Sequence, residues 1–303
     1  MSIRVSLIVV EEPDDFHHKQ RNFFPAIAAQ TYPHDALELI MVDRLGTPSA
    51  ADAFAAFRRE HPTLSASLLP CATTGRAIAN NLAATHATGE LLIFLADDFE
   101  PSPGLVAAHA AYHRMNPDID AAGIGPALFP DELRRDVFVR WQEDSGQIFG
   151  VPMRRAMAVW PRTFFYAANA SIKKRKFDAL RGFNEHFPYD AWEDYEFGLR
   201  WVASGGYSQF IAGATATHRH AVSFDERCAA MARAGASARV LESLHPNLNH
   251  AWRAMLRVNE ARLTAPAEAA PTHLQMAFYA EQMEEAFRRG YLSGIAESAE
   301  APN

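Results

Sequence analysis

The chain has 303 residues, which is enough for two domains of ordinary size or for one large α/β domain with an appendage. Hydrophobic residues make up 49% of it and charged residues 21%, the balance of a globular protein, which argues against a disordered, fibrous or disulfide-stapled chain. The formal net charge of -7 argues against electrostatic binding of duplex nucleic acid or of an anionic membrane across the whole surface. We therefore expect no nucleic-acid partner.

Nothing in the sequence signals a membrane span or export. No apolar run approaches the roughly 20 residues that cross a bilayer, and the N-terminus lacks the basic-then-apolar plan of a signal peptide. We therefore expect a cytoplasmic protein. The two cysteines, Cys71 and Cys228, are distant and outside any CxxC pair, so neither a zinc site nor a disulfide framework is indicated.

The first hundred residues predict an open α/β sheet. Continuous apolar runs at residues 3–10, 37–42 and 91–96 favour parallel strands covered on both faces, and helix-like segments fall at residues 22–30, 49–60 and 76–85. Ligands of such sheets gather beyond the carboxyl ends of the strands. The polar residues that follow the three runs are therefore candidates for a site: Glu11 and Glu12, Asp43 and Arg44, and Asp97 and Asp98.

In the second half of the chain, the predicted secondary structure changes at Ser223 from mixed strands and helices to helices alone. Before it we expect a helix at residues 105–115, strands at 121–128 and 164–172, and a partly ordered excursion at 130–161. After it the composition favours helices through residue 261 and a last helix at 274–289 with Gly290 as its C-cap. We expect residues 1–222 to form the α/β domain. We expect residues 223–303 to form a helical C-terminal extension that packs on that domain or on a second subunit.

Two acidic clusters could carry chemistry. Asp97 and Asp98 end an apolar strand, where paired carboxylates favour Mn²⁺ or Mg²⁺; alternatively, they only cap the following helix. Glu193 and Asp194 begin an amphipathic helix, where one carboxylate could accept a proton from a substrate hydroxyl. The alternative for this second pair is an ordinary capped surface helix.

Histidine and basic residues give further candidates. His218 and His220, two residues apart after an apolar stretch, face one side of a strand, so one could bind a metal and the other a phosphate, unless both are structural. Arg154, Arg155 and the basic residues 173–176 could neutralise phosphates, although such runs are more often solvated surface.

The order of these segments resembles that of family 2 glycosyltransferases of the GT-A fold over residues 3–222. The segments that carry the resemblance are, in chain order, the strand at 5–10, QTYP at 30–33, LIMVD at 39–43, the passage from Gly75 through Asn81 to FLADD at 94–98, GFNE at 182–185, the ED pair at 193–194, and His218. No single motif is specific; their joint order and spacing are.

The resemblance implies an inverting transferase of polysaccharide or glycoconjugate synthesis. It would move a sugar from a nucleoside-diphosphate sugar, with UDP as the expected nucleotide, to an acceptor hydroxyl. Asp194, beside Glu193, would be the base, Asp98 and His218 would hold the metal on the diphosphate, and Asp43 would contact the uracil or ribose. The further donor-binding candidates are Glu11, Asn81, Asp97, Arg154 and Arg155. The acceptor, whether a glycan, a lipid-linked sugar or a small molecule, stays open.

Three positions depart from the family pattern, and two other functions compete. Arg44 stands where many members have a second acid, Ala96 replaces the first acid of the DxD motif, and Asn80 replaces an Arg. Ala96 suggests the first alternative, a non-catalytic binding or partner subunit. The second alternative is a nucleotidyltransferase, but the acidic residues 11–15 are unlike the Gly-rich basic loop that a triphosphate needs after the first strand.

Overall fold

The computed structural model describes residues 2–11, 22–44, 46–73, 75–149, 164–248, 251–256, 263–266 and 272–294. The strands of this part are β1 (Val5–Val10), β2 (Leu37–Asp43), β3 (Ser65–Pro70), β4 (Leu91–Ala96), β5 (Phe99–Pro101), β6 (Ala121–Ile124), β7 (Ala127–Leu128), β8 (Asn169–Lys173), β9 (Tyr207–Phe210) and β10 (Ala216–His218). Its α-helices are α1 (Phe24–Ala28), α2 (Pro48–Glu60), α3 (Arg76–His86), α4 (Leu105–Met115), α5 (Val137–Ser145), α6 (Lys174–Ala179), α7 (Glu193–Ala203), α8 (Phe224–Leu244) and α9 (Thr272–Ser293). No helix in these ranges is long and apolar enough to cross a membrane.

A seven-stranded, mostly parallel sheet in the order β3-β2-β1-β4-β8-β6-β9 forms the centre of the fold. β1 pairs in parallel with β2 and β4, and only β8 runs antiparallel to its neighbours β4 and β6. Alternate residues of β1 enter the two cores, with Leu7 and Val9 on one face and Ile8 and Val10 on the other. The predicted α/β sheet, buried on both faces, is confirmed.

A smaller sheet, β5-β10-β7, lies beside the carboxyl end of β4. β10 runs antiparallel to β5, and their register sets His218 opposite Phe99, directly after Asp97 and Asp98. This pairing brings together two segments 120 residues apart in sequence.

Several elements differ from their predicted bounds. The strand predicted at 121–128 divides at Gly125, where a side chain would overlap the carbonyl oxygen of Ala214, so β6 and β7 enter different sheets. The sequence does not predict β3, because the edge strand SASLLP is only half-buried and has no continuous apolar run. Within the excursion at 130–161, Asp136 caps α5 by accepting hydrogen bonds from the Phe138 and Val139 N–H groups. Residues 150–163, including Arg154 and Arg155, lie outside the described residues.

The C-terminal helices pack on each other and on α5. A capping box between Ser223 and Glu226 starts α8 where the composition changes. Buried side chains of α5, α8 and α9 share one apolar cluster, which includes Trp141, Leu241 and Phe287. The prediction that Gly290 ends the last helix is wrong, because α9 continues to Ser293. Gly290 lies at the α8–α9 crossing, where a side chain would overlap the carbonyl of Ala232.

Candidate active site

A cavity of about 880 Å³ opens beyond the carboxyl ends of β1 and β4. Its floor includes Val10 of β1 and Leu95 and Ala96 of β4. In the sheet order, β2 and β3 lie on one side of β1 and β4 lies on the other, so this is the point where the order reverses. Open α/β sheets bind their ligands at this position, since the two connections leave in opposite directions and leave a crevice between them.

Asp98 and His218 meet at the cavity wall. His218 Nε2 lies 2.7 Å from Asp98 Oδ2, and both residues line the cavity. Burial raises the pKa of Asp98, but the positive fields of His218, Arg76 and His220 outweigh it and leave that pKa below its ordinary value. Asp98 is therefore an ionised carboxylate at neutral pH.

The pair fits a divalent metal as two of its ligands. A carboxylate oxygen and an imidazole nitrogen are donors that Mn²⁺ accepts. Among the described residues, no group of three or more His, Cys, Asp and Glu side chains could surround an ion. A metal held here therefore needs oxygens from a bound diphosphate or from water.

His218 is packed on its other sides by aromatic rings. The ring centroids of Phe99, Phe129 and Phe149 lie 5.2, 4.7 and 5.8 Å from that of His218. The buried Nδ1 atom of His218 has no hydrogen-bond partner among the described residues. A metal on Nε2 would force the ring proton onto Nδ1, where no described acceptor stabilises it, so His218 is a weaker ligand than a histidine held by a carboxylate.

The other strand-end acids lie at the carboxyl ends of the sheet. Asp97 is only 1% exposed and lines the cavity next to Asp98. Glu11 and Asp43 are also buried, at the ends of β1 and β2, but are not among the residues that line the cavity. Asp43 Oδ1 accepts a hydrogen bond from the Gly46 N–H at 2.7 Å, which shapes the loop after β2.

Asn81, which the resemblance predicts at the donor, holds the GFNE turn. Its Oδ1 accepts from the Phe183 N–H at 2.9 Å, and its Nδ2 donates to the Phe183 carbonyl at 2.9 Å and to Glu185 at 2.8 Å. Gly182 in this turn has a φ of 64°, and a side chain there would overlap the Asn81 amide. α3 presents its preceding residue, Asn80, to the cavity.

Glu193 and Asp194 begin α7 behind the cavity wall. Asp194 Oδ2 accepts from the N–H of Ala167, a cavity-lining residue, at 3.3 Å, and its Oδ1 accepts from the Tyr195 N–H at 2.7 Å. Burial raises the pKa of Asp194, while these N–H groups and Arg76 oppose that rise. Burial and the neighbouring Asp194 charge raise the pKa of Glu193 to about 8. Its buried Oε2 has no described hydrogen-bond partner.

Trp192 fixes the start of this helix. Its φ of 75° is a left-handed conformation that bulky residues rarely adopt, and such backbone strain costs roughly 1–3 kcal/mol. The indole Nε1 donates to the Ala234 carbonyl of α8 at 2.7 Å. The C-terminal helices therefore help to position the Glu193–Asp194 pair.

Four arginines, Arg44, Arg76, Arg227 and Arg233, line the cavity. Arg44 donates to Asp190 at 2.9 Å, and the Arg76 backbone N–H donates to the other Asp190 oxygen at 2.8 Å. Both arginines and Asp190 line the cavity. Arg227 and Arg233 of α8 line it as well. These residues come from four distant segments, and only Arg44, as a departure from the family pattern, stands out in the sequence.

The basic residues singled out in the sequence lie elsewhere or outside the described part. Lys173 donates to the Asn116 and Asp118 carbonyls after α4, and Lys174 pairs with Asp178 at 3.1 Å. None of these lysines is among the residues that line the cavity. His220, by contrast, lines it together with His218.

The comparison with known families decides the class of protein. The model of the glycosyltransferase-like family 2 matches residues 16–224, more than half of the chain. The chain belongs to this family. It is a glycosyltransferase, as the order of its motifs predicted, and the family match gives no support to the nucleotidyltransferase alternative.

Solved structures agree with this glycosyltransferase in fold. The mannosyltransferase PcManGT from Pyrobaculum calidifontis, in complex with GDP-Man and Mn²⁺, is 18% identical with a TM-score of 0.58, and the match covers 100% of this chain and 77% of that one. GalNAc-T7, with UDP, GalNAc and Mn²⁺, is 12% identical with a TM-score of 0.57, over 97% of this chain and 57% of that one. No curated protein sequence matches the chain significantly.

Proposed function

We propose that this glycosyltransferase moves a sugar from a nucleoside-diphosphate sugar to an acceptor hydroxyl with inversion, and that Asp194 is its base. One observation carries the proposal: the Asp98–His218 pair lines the cavity at the reversal of the strand order, and the Asp194 carboxylate bonds the backbone of the wall of that same cavity. Asp194 takes the proton of the acceptor hydroxyl as its oxygen attacks the anomeric carbon from one face. The bond to the nucleoside diphosphate breaks on the opposite face.

The surroundings of the two adjacent acids favour Asp194 over Glu193 as the base. Burial and the adjacent Asp194 charge raise the pKa of Glu193 to about 8, which favours its protonated form, and a protonated acid cannot accept another proton. Asp194 keeps two N–H donors on its oxygens, and these stabilise the carboxylate form.

The residues near Asp98 suit the departing nucleoside diphosphate. Asp98 and His218 would hold Mn²⁺ or Mg²⁺, which supplies positive charge for the leaving oxygen. Arg76 adds a fixed positive charge near Asp98 and Asp194. UDP is the expected nucleotide from the family resemblance, while one of the neighbours in fold was solved with GDP-Man, so both classes of donor belong in the test.

The test is the release of nucleoside diphosphate from a panel of UDP- and GDP-sugars, with Asp194→Asn as the decisive variant. The amide keeps the shape of the side chain but cannot take a proton, so turnover should fall about 10²- to 10⁴-fold while donor binding is kept. Asp178→Asn is the matched control, since Asp178 is an exposed aspartate paired with Lys174 and outside the cavity lining. This control should turn over as the wild type does.

Two results would contradict the proposal. If Asp194→Asn keeps a tenth or more of the wild-type rate with normal donor binding, Asp194 is not the base, and Glu193→Gln becomes the next variant to measure. If the wild type binds no nucleotide sugar of the panel at all, the non-catalytic partner subunit that Ala96 suggested is favoured instead.

A further inference from the structure

α8 of the C-terminal extension lines the cavity with two arginines, Arg227 and Arg233. Ala229 and Ala230, which lie between them, and Glu226, whose carboxylate accepts from the Ser223 N–H at 2.8 Å, line it as well. The Arg227 Nη2 group donates to the Gln147 carbonyl, two residues before Phe149, whose ring packs on His218. This hydrogen bond ties Arg227 to the segment that leads to Phe149.

Neither arginine has an acidic partner in the described part of the chain. The buried Arg227 Nε has no hydrogen-bond partner there, and no described carboxylate lies within ion-pair distance of Arg227 or Arg233. By contrast, Arg44 pairs with Asp190 at 2.9 Å and Arg200 with Glu196 at 2.9 Å. The α8 arginines thus differ from Arg44, which lines the same cavity.

The charge of Arg227 costs free energy unless an anion joins it, whereas Arg233 is exposed and adds its charge without that cost. Burial lowers the pKa of Arg227 to about 10, so the guanidinium is still charged at neutral pH. Moving an unpaired charge out of water is expensive, and a bound anion with hydrogen-bond acceptors removes most of that cost. A guanidinium fork matches the oxygens of a phosphate group in two parallel hydrogen bonds.

We propose that Arg227 and Arg233 form a binding site for a phosphate group of a substrate, and that this phosphate belongs to the acceptor. The two arginines share the cavity with Tyr166, whose electrostatic surroundings include both Asp194 and Arg227. An acceptor hydroxyl at Asp194 and an acceptor phosphate at Arg227 would therefore both lie near this tyrosine. The assignment to the acceptor rests on the proposed role of Asp194, whereas the anion site itself does not.

Calorimetric titration of the full-length protein with inorganic phosphate tests the site directly. The wild type should bind phosphate, and Arg227→Gln should weaken that binding at least tenfold. Arg233→Gln should weaken it as well, and this second variant covers the case that Arg227→Gln fails to fold. Arg239→Gln on the same helix is the control: its guanidinium bonds the Tyr291 carbonyl at 3.3 Å, it does not line the cavity, and its phosphate affinity should equal that of the wild type.

Repeating the titration with saturating UDP or GDP and Mn²⁺ separates the two sources of phosphate. If phosphate still binds when the nucleotide is bound, the result supports a site for an acceptor phosphate. If phosphate and nucleotide compete, the arginines bind the donor diphosphate, and the assignment to the acceptor is overturned. Wild-type phosphate affinity in both Arg227→Gln and Arg233→Gln overturns the site altogether. Because inorganic phosphate needs no nucleotide, these outcomes are distinct from a failure of sugar transfer.

Discussion

Asp97 and Asp98 are adjacent in sequence, but only Asp98 has a described hydrogen bond to the imidazole of His218. Both line the cavity, and Asp97 is almost fully buried. With one carboxylate and one weakly supported histidine, the site should bind manganese poorly without nucleotide and more tightly with it. We expect Asp98→Ala to abolish metal-dependent binding of a nucleoside diphosphate and Asp97→Ala to weaken it only modestly, as measured by calorimetry with and without Mn²⁺.

The order of the two effects is the informative quantity. A larger loss in Asp97→Ala than in Asp98→Ala would show that the metal-binding acid has been misassigned. If the wild type binds nucleotide equally well with and without Mn²⁺, the enzyme binds its nucleotide without the metal.

Two buried histidines on α4 make stability depend on pH. His109 bonds Ser171 at 2.8 Å and Asn169 at 3.0 Å, and His113 bonds Ser171 at 2.9 Å. Burial lowers the pKa of His109 to about 4; burial, with Lys173 nearby, lowers that of His113 to about 3. The unfolded chain takes up these protons near pH 6.5, whereas the folded chain does not until about pH 4 or 3.

The contribution of these histidines to the free energy of unfolding should therefore be fully present above pH 6.5 and should decrease as the pH drops toward 4. The shift of His109 alone corresponds to about 3 kcal/mol. Urea unfolding at pH 7 and pH 4.5 measures the slope. His109→Gln should flatten it, because glutamine takes up no proton, while His86→Gln, which removes an exposed imidazole on α3, should leave the slope as in the wild type. Equal slopes in wild type and His109→Gln would refute this account.

At the scale of elements, α8 and α9 cross through two glycines. A side chain at Gly235 would overlap the Phe287 carbonyl, and one at Gly290 would overlap the Ala232 carbonyl. Alanine favours the helical conformation by about 1 kcal/mol over glycine, but overpacking typically costs about 1–3 kcal/mol. Here the added methyl group would meet a backbone carbonyl, which cannot move aside by changing rotamer as a side chain can. We expect Gly235→Ala and Gly290→Ala each to lower the free energy of unfolding.

Thermal unfolding with Gly213→Ala as the control checks this expectation. A side chain at Gly213 meets only the Ala108 methyl group, at 3.7 Å, which is an ordinary contact, so that variant should unfold as the wild type does. If Gly290→Ala raises the melting temperature, the crossing is looser than described and helix propensity decides the effect.

The sequence predicts best those strands that are buried on both faces, because their residues form a continuous apolar run. β1, β2 and β4 are covered on both faces, so their residues are apolar throughout and their bounds could be predicted. Gly290 shows the limit of such local signals, because a glycine near the end of an apolar pattern serves equally as a C-cap or as a contact between helices. Only the position of α8 distinguishes the two.

For the whole molecule, the C-terminal extension bears on both stability and the site. It shares an apolar cluster with Phe138 and Trp141 of α5, holds Trp192 through Ala234, and adds Arg227 to the cavity. A chain that ends at Val222 should therefore melt at a lower temperature and associate, since it exposes the apolar surface of α5. Size-exclusion chromatography and thermal unfolding measure this. A truncated chain as stable and monodisperse as the full one would show that the extension is an independent unit.

The candidate site was predictable only where its residues stand in motifs. The strand-end acids, the ED pair and His218 occur in a recognisable order, so the sequence alone identifies them as candidates. Arg76, Asp190 and Arg227 carry no such pattern; α3, the loop before α7, and α8 bring them to the cavity. The resemblance predicts Asn81 at the donor, whereas the helix register that directs Asn80 to the cavity and Asn81 to the GFNE turn is visible only in the structure.

The central claim is that this one cavity holds the nucleoside diphosphate through a metal at Asp98 and His218. Anomalous scattering of manganese from crystals grown with UDP or GDP and Mn²⁺ tests it most directly. We predict one manganese peak beside Asp98 and His218, with the diphosphate against it and the nucleoside toward the carboxyl ends of β1 and β2. A nucleotide bound elsewhere on the protein, or bound in this cavity with no manganese peak at Asp98, would contradict the claim.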